Sequence, residues 1–190
     1  MTAEEWFNKG VELAELESHE EAIEAFDKAI EINPQYAKAW LAKGVELGSL
    51  GKHKEAKQAY DKAIEISPQS AEACSNSGAL LFSLGNLEQA SQRVEDALSI
   101  DKNFTLALSL KGRIKIEERD YDAASQFLRR AIFLDVGNPS LILWDAYANY
   151  LKAEFSPNRK DQKYQEEMAS VIRSMERADK LAEKHGKKIR

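Results

Sequence analysis

The chain has 190 residues, 43% hydrophobic and 31% charged, which is enough apolar content for a packed core and too much for a disordered chain. A formal net charge of −5 argues against nucleic acid as the main partner, because binding there rests on neutralising phosphates. No stretch approaches the ~18 apolar residues of a membrane span, so no membrane is expected as a partner.

The start, Met1-Thr2-Ala3-Glu4-Glu5, has neither the basic end nor the apolar run of a signal peptide. The single cysteine, Cys74, has no internal disulfide partner and favours a reducing compartment, so a soluble cytoplasmic protein is expected. Trp6, Gly10 and Leu13 then fall at spacings of four and three, and Ala22, Phe26 and Ala29 repeat that spacing. Each set is one stripe of a helix, with a period near 3.6 rather than the 2 of a strand. Leu16-Glu17-Ser18-His19 joins the two helices and Pro34 ends the unit, since proline stops a helix. Residues 37–70 repeat residues 3–36 without a gap at about 20 of 34 positions. Leu50-Gly51-Lys52-His53 forms the second turn, where a glycine suits a tight reversal after a helix.

A third copy occupies 71–104, with Cys74 in place of tryptophan, Gly78, the turn Leu84-Gly85-Asn86, and Ala90, Val94 and Ala97. A fourth occupies 105–138, with Leu108, Gly112, Ala124, Leu128 and Ala131; it lacks the tryptophan and proline and carries Lys115 on an apolar phase. Copies one and two are therefore expected to be more stable than copy four. Gly10, Gly44, Gly78 and Gly112 recur 34 residues apart. Glycine inside a helix costs about 1 kcal/mol relative to alanine, so its recurrence at one phase implies a close helix approach there.

Beyond Asn138 the pattern loosens. Residues 139–186 are expected to form C-terminal helices, a degenerate repeat and a cap, followed by a basic tail at 187–190. In the first of these helices Trp144, Ala148 and Leu151 match the repeat stripe if two residues are inserted; without the gap Ile142 and Ala146 match and Asn149 fits poorly. Ser156-Pro157-Asn158-Arg159 reads as a break. Tyr164, Met168, Val171, Ile172, Met175, Ala178 and Ala182 then form one stripe on a longer helix, expected to cover the apolar face that the last repeat would otherwise expose. A partner-binding helix is the alternative.

A 34-residue helix–turn–helix carrying Trp, Gly, Ala, an aromatic, Ala and Pro at these phases resembles the tetratricopeptide repeat, over four copies at 3–36, 37–70, 71–104 and 105–138. The resemblance implies an all-α, right-handed α-solenoid closed by C-terminal capping helices. It also implies a non-catalytic scaffold that binds a peptide segment of a partner protein in a concave groove lined by the first helices. Read position by position, the groove would hold Lys38, Leu41, Val45, Asn76, Phe82, Leu106, Leu110 and Arg113, with Asn76 bonding peptide backbone and Arg113 selecting an acidic ligand residue. A contiguous apolar concavity usually marks a partner site, although C-terminal helices folding back into it, or side chains packing between repeats, would look the same in the sequence.

Family members that grip the C-terminal carboxylate of chaperones use a five-residue clamp of lysines, asparagines and an arginine. Here those positions hold Phe7, Val11, Ala42, Glu72 and Asn76, or Leu41, Val45, Asn76, Leu106 and Leu110 one repeat later. Without the cations nothing neutralises a carboxylate, so that clamp is not expected.

No enzyme signature emerges: His19 and His53 are expected as exposed turn residues too far apart to share a metal, Cys74 as a buried structural thiol, and no cofactor is expected. The charge is polarised, with ten acids against Lys9 and Lys28 in residues 1–36 and eleven bases against seven acids in residues 151–190. That leaves weak end-to-end self-association, or service as a non-catalytic subunit of an enzyme complex, as alternatives to the scaffold.

Overall fold

The computed structural model describes residues 1–155 and 162–184, the side chains of 162–164 excepted. The expected break at 156–159, the side chain of Tyr164, His185 and the tail lie outside the described residues. Among those residues the chain is all-α, a succession of helix–turn–helix pairs. It divides into two compact units, 1–100 and 101–190.

The first unit holds α1 (Ala3–Glu15), α2 (His19–Ile32), α3 (Ala37–Ser49), α4 (His53–Ile66), α5 (Ala71–Ser83) and α6 (Leu87–Ile100). Thr2 and Glu5 close a capping box at the start of α1, each side chain bonding the other's backbone N–H. Ser70 caps α5 through the Ala73 N–H. Successive pairs pack through the expected stripes. Ala29, Ile30 and Ala39 are buried beside Trp6, Phe7, Tyr36 and Trp40, and Leu47, Ala56, Ala59, Tyr60 and Leu80 form the next cluster. The Trp40 indole also donates to the Pro34 carbonyl at 3.0 Å, tying the proline break to the following helix.

The turn between the helices of a pair needs a left-handed residue. Gly51 and Gly85 supply it, with φ of 71° and 78°, but Glu17 and Arg119 adopt the same conformation at 57° and 62°. The glycine is thus a preference of this turn rather than a requirement, set aside in the first and fourth pairs at a cost of ~1–2 kcal/mol each.

The second unit holds α7 (Thr105–Glu117), α8 (Tyr121–Leu134), α9 (Pro139–Glu154) and α10 (Gln162–Lys184). Asp120 caps α8 through the Ala123 N–H, and Asn138 followed by Pro139 starts α9. Both alignments of α9 describe real faces. Trp144, Ala148 and Leu151 pack with Ile116, Ala124 and Leu128, while Ile142, Ala146 and Ala153 are also buried on a helix packed against α7, α8 and α10. Lys115, on a phase expected to be apolar, keeps a quarter of its side chain in solvent and pairs with Glu118 at 2.6 Å. No helix of the described residues is long and apolar enough to cross a membrane.

Candidate functional site

In the first unit α1, α3 and α5 frame an open concavity of about 440 Å³. Phe7, Val11 and Ala14 line it from α1 and Leu41, Ala42 and Val45 from α3, with Phe26 of α2 reaching the lining as well. Glu15, Lys38, Glu46 and Glu72 add the charges. Phe7 and Leu41 also pack against the clusters that join the helices and Phe26 is buried, whereas Val45 belongs to neither of those clusters. Val45 is 39% exposed, and Phe7 is held in place by the rings of Tyr36 and Phe26 at 5.1 and 5.7 Å.

Of the four charges Glu46 alone is buried, at 7% exposure. Its Oε2 lies 2.6 Å from His19 Nδ1. His19 therefore departs from the expected exposed turn residue: it opens α2 half-buried, locked to α3, whereas His53 at the start of α4 is exposed. Burial first, and the Glu46 charge second, push the nearby Tyr60 phenol up to about 12.

The eight residues expected in one groove meet different local surroundings. Lys38, Leu41 and Val45 line the concavity. Asn76 and Phe82 are half-buried on α5 and are not part of its lining. In the second unit Leu106 stands exposed at 43%, but Leu110 is 1% exposed and belongs to the interior. Arg113 is half-buried, its guanidinium 4.8 Å from the centre of the Trp144 ring. Burial pulls its pKa below the usual arginine value, and the Glu117 charge acts the other way. Trp144 of α9 thus occupies the side of α7 that was expected to be open to a ligand.

The sequence reading left Phe7 and Val11 out of the eight groove residues, although both line the concavity. It missed a polar cluster around Asp145 altogether. Ser125 Oγ and Asn149 Nδ2 donate to that carboxylate, the latter at 3.1 Å, and Asn149 also donates to the Asp145 carbonyl at 2.7 Å. The poor fit of Asn149 to the apolar stripe was the available signal. A second, smaller cavity of about 230 Å³ lies between this cluster and α10. Cys74 is buried, as expected, and burial raises its thiol pKa, which suits an inert packing role.

Four family models, each described as tetratricopeptide repeat, match residues 3–36, 25–58, 49–114 and 107–135. No curated protein matches the sequence significantly. Among solved structures, MamA from Desulfovibrio magneticus RS-1 superposes with a TM-score of 0.73 at 18% identity, over 93% of this chain and 96% of that one. PilF of Pseudomonas aeruginosa superposes at 0.74 with 23% identity, over 97% and 84%. YrrB, described as a protein of this repeat class with an unusual peptide-binding site, superposes at 0.63 with 19% identity, over 95% and 86%.

Proposed function

Because the chain belongs to the tetratricopeptide-repeat family, we propose that it is a non-catalytic scaffold whose concave surface in the first unit holds a peptide segment of a partner protein. The observation that carries this reading is the concavity itself. Phe7, Val11, Leu41 and Val45 line it with apolar side chains, and none of the four is fully buried, although Phe7 and Leu41 also pack against the clusters between helices. YrrB, a structure of the same fold, is described as having a peptide-binding site, which lends the reading analogy. The buried free thiol of Cys74 suits a reducing, cytoplasmic setting.

Val45→Asp tests the assignment with little risk to the fold, since Val45 belongs to neither helix-packing cluster around it. Wild-type protein is used as bait in its native lysate and the main captured partner is identified by mass spectrometry. Val45→Asp is expected to weaken that capture at least about tenfold, as truncation of a central anchor does. Lys54→Ala, at an exposed position of α4, is expected to leave it unchanged. Both variants are checked by circular dichroism. Undiminished capture by folded Val45→Asp, with loss on changing the opposite surface, places the function elsewhere.

A further inference from the structure

The concavity has a sign as well as a shape. Glu15, Glu46 and Glu72 line it against Lys38 alone. Glu46 is engaged by His19, but Glu15 and Glu72 are exposed, and no described residue forms an ion pair with either. The surrounding unit reinforces them: residues 1–100 hold eighteen acids against nine bases, a net −9, whereas residues 101–190 hold eighteen bases against fourteen acids. An apolar floor at the centre of a negative field attracts and orients a ligand that is cationic around apolar anchors.

We propose that the first unit's groove selects a segment of a partner protein in which lysines or arginines flank two or three large apolar residues. This deepens the reading of the groove as the binding surface and rests on it. It replaces the acidic ligand residue expected from Arg113, whose guanidinium lies 4.8 Å from the centre of the Trp144 ring. The apolar anchors sit over Phe7, Val11, Leu41 and Val45, while the cations reach Glu15 and Glu72. A second copy of this chain is the weaker occupant. α10 has exposed apolar residues, Ile172 and Met175, but its described side chains from Gln165 to Lys184 include five acids against Arg173, Arg177, Lys180 and Lys184. That helix has no cationic excess to meet the rim.

The test uses the full chain and three labelled synthetic peptides of one design. Each has leucines at the same three positions and either lysine, glutamine or glutamate at the flanking positions. Binding is read by fluorescence anisotropy at low and at high salt. The lysine peptide is expected to bind about tenfold tighter than the glutamine peptide at low salt, the glutamate peptide weakest, and the advantage to shrink as salt rises. Reversing both rim carboxylates, Glu15→Lys with Glu72→Lys, is expected to abolish the preference. Reversing two exposed acids of α2, Glu20→Lys with Glu31→Lys, is expected to retain most of it.

Equal binding of lysine and glutamine peptides, or an equal effect of the two double reversals, overturns the charge selection. No measurable binding of the lysine peptide overturns it too. Binding that Val45→Asp leaves intact for every peptide overturns the groove reading itself, which keeps the two failures apart. Concentration-dependent growth of particle mass in light scattering, abolished by Val45→Asp, assigns the groove to a second copy and overturns the choice of partner.

Discussion

At the scale of single residues, the periodic glycines are explained by what stands sixteen residues further on. A Cβ built on Gly44 comes within 2.6 Å of the Tyr60 ring, one on Gly10 within 2.5 Å of Phe26, and one on Gly112 within 2.5 Å of Leu128. At Gly78 the facing residue is Val94, and the nearest atoms stand at 3.3 Å. The sequence shows that a close approach exists, through the 34-residue recurrence; it does not show that the approach relaxes where the facing side chain shrinks. Gly44→Ala gains about 1 kcal/mol of helix propensity but forces the buried Tyr60 ring to move, and such overpacking costs ~1–3 kcal/mol or more. The expected result is a lower denaturation midpoint for Gly44→Ala and an unchanged or slightly higher one for Gly78→Ala. Chemical denaturation of the two variants compares them directly, and equal losses would show that the facing ring is not what excludes the methyl group.

At the scale of elements, α10 shows how far an apolar stripe can be trusted. The stripe contains Val171, Ile172, Met175, Ala178 and Ala182, yet Val171, Ala178 and Ala182 are buried while Ile172 and Met175 are 54% and 42% exposed. A helix packed on one neighbour buries a narrow seam, and the stripe is wider than the seam. Contact falls on α9, whose Ala146 and Asn149 share the cavity lining with Val171. The cap was therefore legible in outline, from length and periodicity, but its width was not, because width depends on the shape of the surface across from it. Removing α10 and all that follows it is expected to lower the melting temperature and promote self-association. Val171→Asp should reproduce this in part, since an unpaired charge cannot remain in that seam. Ile172→Asp, already half in water, should melt like the intact chain. If both aspartates destabilise equally, α10 buries a broader face than the seam described.

At the scale of the whole molecule, motif fidelity and burial disagree, and burial should decide stability. The sequence showed the period, the phases of the helices and the identity of the groove positions, because each is written in spacing. It did not show which positions lie under neighbouring helices, so Leu110 and Arg113 were expected at the surface. Nor did it show that the left-handed turn persists at Glu17 and Arg119 without glycine. Read by fidelity, copies one and two, with tryptophan, glycine and proline intact, should be the most stable. Read by packing, α1 buries only Gly10. α5 buries seven residues, from Ala73 to Leu81, and α7 seven, from Ala107 to Ile116. Amides protected by packing on several sides exchange only when much of the structure opens, whereas a helix with one buried residue opens by itself. Hydrogen exchange followed by mass spectrometry is therefore expected to be fastest in Ala3–Glu15 and slowest in Ala71–Ser83 and Thr105–Glu117. Slower exchange in Ala3–Glu15 than in Thr105–Glu117 would mean that the consensus residues, Trp6 with Lys28 4.4 Å from its ring centre among them, outweigh the number of buried neighbours. In that case stability would follow the quality of each repeat rather than its depth in the packing.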